Sequence, residues 1–524
     1  MCFRVSKDNG RKKTPGISTG FPAAVAELQR CIPLPLVFAA NDRWNRGFAL
    51  DKYKKLVSNT LIFAVGTFSS KVLVFLLMPL YTRVLSTEEY GVTNTIVDMG
   101  NLLIPLITLG IINAIIRFGL EKNVRKSDVF STGFFLILLG GVVLVCLQPV
   151  LTPVLTPLMN LMEIPSEYVS QNLFLLVAFS FTSAMRSLCH QFVRARGMVR
   201  LYAVNGILST ALTILFNVLY LVVFRWGVVG YVLAIITADF LSTCFLFFCA
   251  DLHKFLRFRG IDFGVSKAML RYALPLIPNT IFWWIINLSN RFMIAAFLGQ
   301  SANGLYVAAY KIPNVIILLA GIFSDAWQMS AFTEVQGRNK FFTKVFSTYS
   351  SLLFMAASGV ILFCRLIIRI LVSDAYYECW KYVPILVVTT TFTCMVDFLG
   401  SIYMTEKKSL HSMVTTAIGA GANIFLNLQL IPVYGVNGAA MASLGSYFLV
   451  FFIRVLDTRR YVRIRFRWLQ LCVNFVLVLA QCYIMIQELP LWILWCSLIT
   501  VAMLLLNMKE LLESVRKLLR RRTA

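Results

Sequence analysis

Between Asn279 and Met293 the chain reads NTIFWWIINLSNRFM, which sets a full charge, Arg291, in a run otherwise suited to the middle of a lipid bilayer. The stretch NTLIFAVGTFSSKVL, from Asn59 to Leu73, repeats the arrangement: Asn-Thr is again followed, twelve residues after the Asn, by a cation, here Lys71. Around both stretches the composition is that of a membrane protein. Hydrophobic residues make up 58% of the 524 and charged residues 14%, with mean hydropathy +0.76, against about 25% charged in soluble domains. A bilayer core about 30 Å thick is crossed by roughly 20 apolar residues in helical conformation. The chain from Leu56 to Met508 divides into fourteen such runs: 56–81, 90–116, 129–150, 169–190, 201–223, 228–250, 272–298, 305–330, 345–372, 382–404, 410–431, 436–456, 468–486 and 490–508. The fold expected is therefore an all-α polytopic membrane protein with 14 transmembrane helices.

The net charge of +25 would suit nucleic acid if the cations formed one face, but they alternate along the chain. They crowd before the first run (Arg43, Arg46, Lys52, Lys54, Lys55) and in every second loop after it. The last groups are Arg454 to Arg467 and Lys509 to Arg522, whereas the intervening loops hold only Arg83, Arg225 and Lys381. This is the positive-inside pattern, which puts both termini in the cytoplasm and makes membrane lipid, not nucleic acid, the expected partner. Twelve cysteines without CxxC spacing and three separated histidines suggest neither a metal site nor a disulfide. Residues 1–48 are polar and contain Gly and Pro, and they are expected to form a disordered cytoplasmic extension. Cleavage at their short apolar patch, CIPLPLVFAA (Cys31 to Ala40), would export a basic new terminus, against the charge pattern.

Internal repeats divide the rest. Asn217 and Asn427 stand twenty residues after Gly197 and Lys407, and are followed by the turns GVVG (Gly227 to Gly230) and GVNG (Gly435 to Gly438). The first and seventh runs share the Asn-Thr signature and also a Leu with a Gly six later, Leu85/Gly91 and Leu298/Gly304. The two markers differ in register by about two helical turns, so either alignment puts Lys71 and Arg291 on nearly the same face. Two pseudo-repeated six-helix lobes follow, 49–262 and 263–460, with a C-terminal helix pair and a basic amphipathic tail in 461–524. That tail, KELLESVRKLLRRR, suits a helix lying on anionic lipid. The longest outer connection is expected at LTPVLTPLMNLMEIPSE, Leu151 to Glu167.

A Lys, Arg or Asp centred in the bilayer costs about 2.5 to 3.5 kcal/mol, so each needs a reason. Lys71, Arg291 and Lys311 are read as a cationic patch between the lobes, able to hold phosphate through charge-assisted hydrogen bonds. The competing reading for Lys71 and Arg291 is an ion pair with Asp239 or Asp98. Asp239, Asp397 and Asp98 are the candidates for proton or sodium coupling, for which a carboxylate in a desolvated pocket is suited. Asn217, Asn423 and Asn427 either contact sugar hydroxyls or bridge helices. Arg117, Arg186, Arg365 and Arg369 lie close to the interfaces and are expected to snorkel.

Four segments carry a family likeness: PLYTRVLSTEEYG (Pro79 to Gly91), NAIIRF (Asn113 to Phe118), NRFMIAAFLG with NGLYVAAYKIP (Asn290 to Pro313), and NLQLIPVYGVNGAAMAS (Asn427 to Ser443). In order and spacing they resemble the polysaccharide (Wzx-type) flippases of the multidrug/oligosaccharidyl-lipid/polysaccharide exporter superfamily. The resemblance implies a V-shaped two-lobe transporter in a bacterial plasma membrane. It would move an undecaprenyl-diphosphate-linked oligosaccharide from the inner to the outer leaflet by alternating access, alongside glycosyltransferases and a polysaccharide polymerase. In related lipid flippases cavity cations engage the pyrophosphate and an extra helix pair forms a lipid-tail groove, roles matched here by Lys71, Arg291 and helices 13 and 14. Where the family often has Asp-Arg in helix 7, this chain has Asn290-Arg291, which removes one coupling carboxylate. No catalytic residue and no cofactor beyond a coupling H+ or Na+ is expected. A drug/cation antiporter of the same superfamily would prefer an acidic cavity. A membrane glycan polymerase would need a charged outer catalytic loop, and the outer loops here are short and sparsely charged.

Overall fold

The computed structural model describes residues 77–121, 123–161, 166–333, 338–406 and 408–522. Residues 1–48, Lys71 and most of the first expected span lie outside them. Sixteen α-helices and no strand occur among the described residues. The first eight are α1 (Met78–Val84), α2 (Thr87–Ile107), α3 (Ile111–Leu120), α4 (Lys126–Leu161), α5 (Ser166–Ala195), α6 (Val199–Asn217), α7 (Gly227–Cys249) and α8 (Phe263–Ala273). The rest are α9 (Ile277–Lys311), α10 (Asn314–Thr333), α11 (Arg338–Leu371), α12 (Val383–Thr405), α13 (Ser409–Tyr434), α14 (Val436–Thr458), α15 (Trp468–Ile486) and α16 (Trp492–Arg522). Ten described stretches are long and apolar enough to cross a bilayer, and the bent pair α2–α3 makes an eleventh. One of the ten, Thr280–Gly321, counts once although the chain turns within it at Gly299. The chain is thus a multi-span membrane protein.

Local chemistry sets the breaks. A capping box starts α2: the Glu89 N–H donates to Ser86 Oγ at 3.1 Å and the Ser86 N–H to Glu89 Oε2 at 2.9 Å. Pro105 lacks an N–H for the last turn of α2, and positive φ at Leu109 and Gly110 then bends the path by 53° into α3. The segment Leu151 to Glu167 is not the long connection expected. Helix α4 continues to Leu161 through Pro149, Pro153 and Pro157, and α5 begins at Ser166. The repeated GVxG turns have a common cause. Gly227 (φ 53°) and Gly435 (φ 58°) both reverse the chain in the region that favours glycine, and side chains at Gly230 and Gly438 would press on the Tyr220 and Leu430 carbonyls.

Helix α5 packs on α2, α3, α4 and α7 in one group, and α12 on α10, α11 and α14 in another, with α9 on α13. The groups meet where α2 crosses the second half of α9. A methyl added at Gly91 would overlap the Gln300 carbonyl, and one at Gly304 would overlap the Thr87 carbonyl. The paired Leu/Gly markers are therefore the two halves of a single symmetric crossing. Thr87 and Ser301 share a hydrogen bond of 2.7 Å there, and Asn303 Nδ2 donates to Thr95 Oγ1 at 3.0 Å. Beside the crossing, the Tyr376 hydroxyl donates to the carbonyls of Leu85 (3.0 Å) and Ser86 (2.7 Å), and Ser373 Oγ donates to that of Thr82. This seal lies at the end of the molecule away from the basic loops.

Helices α15 and α16 dock on α11 through a buried polar seam. Ser358 Oγ donates to Gln481 Oε1 at 2.8 Å while Gln481 Nε2 donates to the Ser358 carbonyl at 3.1 Å, and Asn474 and Asn507 bond reciprocally at 3.1 and 3.0 Å. Arg365 reaches the turn of this hairpin. Its guanidinium lies 3.6 Å from the Trp380 ring centre and 4.5 Å from that of Trp492, and pairs with Glu488 at 2.6 Å.

Candidate functional site

The charged residues of the long apolar helices gather in pairs between and within the two helix groups. Arg291, two turns before the Gly299 bend of α9, forms an ion pair with Asp98 of α2. The side chains are 18% and 9% exposed, so the pair is largely desolvated and joins the two helix groups just beneath the seal. Packing of α2 on α9 places them together, which is the competing ion-pair reading for Arg291, with Asp98 and not Asp239 as the partner. Lys311 stands at the other end of α9, within electrostatic reach of both Arg291 and Asp98. It is partly exposed, and among the described residues no hydrogen-bond or ion-pair partner meets its ammonium. Beside Arg291 lies a cavity of about 20 Å³ lined by Asn290, Tyr306, Tyr310, Thr389, Ser443 and Tyr447. That volume suits one or two waters. In this conformation the pocket beside Arg291 is not shaped for a diphosphate.

Asn423 and Asn427 bridge helices here, whereas Asn217 does not, and none of the three lines an open cavity in this conformation. Asn423 and Asn427 of α13 are fully buried. Asn427 Nδ2 donates to Asn290 Oδ1 at 2.8 Å and to Asn423 Oδ1 at 3.0 Å, Ser289 Oγ to Asn423 Oδ1 at 2.6 Å, and Asn290 Nδ2 to Ser443 Oγ at 2.7 Å. This polar chain ties α9 to α13 and α14. Asn217 is equally buried and its amide donates to the Thr213 carbonyl at 2.7 Å within its own helix.

Two of the three candidate coupling carboxylates are engaged by arginines. Asp98 serves Arg291, and Asp239 of α7 pairs with Arg186 of α5 at 2.6 Å and accepts from Ser183 Oγ at 2.5 Å. Arg186 was expected to reach the interface, but its helix turns it toward Asp239, because leaving either charge unpaired among apolar helices costs more than pairing them. Asp397 is different. Nearly every side chain of α12 is buried, and Thr393, Asp397, Gly400 and Met404 form its accessible stripe at helical spacing. Asp397 is thus an exposed carboxylate on an otherwise buried helix. Behind it Arg454, counted in sequence with the cytoplasmic basic group, is only 5% exposed. Its Nε and Nη2 donate to Thr415 and Thr416 hydroxyls, both at 3.1 Å, and its Nη1 to the Val396 carbonyl at 2.8 Å. Helical side chains slant toward the N-terminus, so a residue near the end of α14 reaches back into the core.

Comparison with known proteins agrees with this architecture. A family model described as "Polysaccharide biosynthesis protein" matches residues 56–327, just over half of the chain. Among solved structures, the lipid II flippase MurJ in an inward closed conformation superposes with a TM-score of 0.66 at 14% identity, over 88% of this chain and 100% of that one. A multidrug resistance MATE family transporter of the MOP superfamily, outward-facing, gives 0.58 at 13% identity, over 77% and 94%. A MOP superfamily transporter from Pyrococcus furiosus, described as having a binding pocket of reverse polarity, gives 0.51 at 15% identity, over 77% and 94%. A search of curated proteins finds no match. The chain belongs to the polysaccharide biosynthesis protein family and has the fold of the MOP superfamily of membrane transporters and flippases.

Proposed function

We propose that the protein is a flippase that carries a polyprenyl-diphosphate-linked oligosaccharide, one repeat unit of a polysaccharide, from the inner to the outer leaflet of the plasma membrane by alternating access. The observation that carries this reading is the Lys311 ammonium, unpartnered among the described residues, beside an Arg291–Asp98 pair that joins the two helix groups. A diphosphate brings more negative charge than one carboxylate, so it would bind Lys311 and compete with Asp98 for the planar fork of Arg291. Lys71, placed on the matching face by the repeat, would complete the patch. Substrate binding and loosening of the contact between helix groups are then the same event. The fourteen spans, the cytoplasmic termini and a role beside glycosyltransferases and a polymerase belong to this proposal. Asn217, Asn423 and Asn427 would reach sugar only after the helices separate. A coupling ion, H+ or Na+, would use Asp397, the candidate left without an arginine bond.

That exposed carboxylate is also the observation that favours a second reading, a MATE-like cation antiporter. The test uses purified protein in liposomes. Expected is protein-dependent exposure of the glycan of a labelled polyprenyl-diphosphate oligosaccharide to an external oxidase, lost in Lys311→Ala. Uptake of a cationic dye against an imposed ion gradient, with no movement of the glycan, would establish the antiporter instead.

A further inference from the structure

The strap between α14 and α15 reads YVRIRFRW, Tyr461 to Trp468. Its Arg463 N–H donates to Asn339 Oδ1 at 3.1 Å and its Arg465 N–H to Thr343 Oγ1 at 3.0 Å. Two residues of strap thus match four residues of α11, about 6 Å of helix rise, and the Ile464 N–H turns back to the Val462 carbonyl at 3.1 Å. Val462 and Ile464 are buried, while Arg463 and Arg465 between and after them are exposed. Among the described residues no carboxylate pairs with Arg463 or Arg465.

Behind Arg465 and Arg467 a cavity of about 10 Å³ opens between α11 and α15, floored by Ser350, Ser351, Gln470 and Asn474. It has room for about one oxygen atom. The floor is satisfied without a guest: Ser350 Oγ donates to the Ser347 carbonyl, and both Gln470 Nε2 and Asn474 Nδ2 donate to Asn507 Oδ1. A ligand's hydrogen bonds must therefore come from the guanidinium forks of Arg463 and Arg465, whose geometry matches phosphate oxygens. Directly beyond the arginines, Trp468 and Leu469 present apolar surface, Leu469 being 81% exposed. Cations against an apolar shoulder suit an anion that carries hydrocarbon.

We propose that Arg463 and Arg465 together with this cavity form a phosphate-binding site that takes the phosphodiester headgroup of an anionic phospholipid on the basic side of the membrane. A plain solvated basic loop is the competing view. The site lies apart from Arg291 and Lys311, so the proposal stands or falls independently of the transport reading.

The test measures the melting temperature of the detergent-purified full-length protein while phosphatidylglycerol, phosphatidylcholine or inorganic phosphate is added. Phosphatidylglycerol should raise it by several degrees and phosphatidylcholine should not. The shift should fall by half or more in Arg463→Gln/Arg465→Gln and be partly kept in Arg463→Lys/Arg465→Lys. Both variants are compared with wild type without lipid, so a folding defect shows as a lower starting temperature. Equal shifts with both lipids, or an undiminished shift in the Gln variant, would overturn the site. A full shift with inorganic phosphate alone would overturn the assignment to lipid.

Discussion

Replacing Arg291 with Ala is expected to lower stability by about 3 to 5 kcal/mol, because it leaves Asp98 largely buried without its cation. Glycan export should fall to background at the same time. Stability loss alone would explain that, so the informative variant is Arg291→Gln combined with Asp98→Asn. Removing both charges takes away the desolvation penalty as well as the attraction, and thermal unfolding should return close to wild type. Export should stay low if Arg291 also binds the substrate anion. Recovery of export together with stability would make the pair purely structural.

The second large effect belongs to the crossing of α2 and α9. A side chain at Gly304 overlaps the Thr87 carbonyl, and neither backbone has a rotamer with which to yield. Gly304→Val should hold the helices apart and keep the seal from closing, with Gly304→Ala milder. Thr95, fully buried at the crossing, serves as reporter. In a background lacking accessible cysteines, Thr95→Cys should react with an external, membrane-impermeant maleimide several-fold faster when Gly304→Val is present. Unchanged labelling would mean that this contact is not the seal. Glycan export should fall in parallel, since a transporter that cannot close one side cannot alternate.

Hydropathy and the positions of Gly and Pro carried most of the fold, because each span must bury about 20 apolar residues on its own. The repeat markers were legible for the same reason. Gly91, Gly304, Gly227 and Gly435 occupy positions that only a small or left-handed residue can fill. Partnerships between charges were only partly legible: Asp98 was one of the two aspartates weighed as a partner for Arg291. Arg186 with Asp239, Arg291 with Asp98, and Arg365 between Trp380 and Trp492 all join helices far apart in sequence. Spacing says how deep a charge lies but not which helix faces it. Arg454 misled for a related reason: its place near a helix end suggested cytoplasm, whereas the slant of the side chain returns it to the core. The length of α4 was hidden by three prolines, each of which reads as a stop when taken alone.

The most direct test is the affinity of the purified protein for polyprenyl diphosphate, compared between wild type and Lys311→Gln. Lys311 bonds to no described residue, so its loss should leave the fold intact. A charge-assisted hydrogen bond contributes roughly 1.5 to 3 kcal/mol, which corresponds to an affinity lowered about 10- to 100-fold. Equal affinity in the two proteins, with both fully folded, would contradict a diphosphate held by the cations of α9.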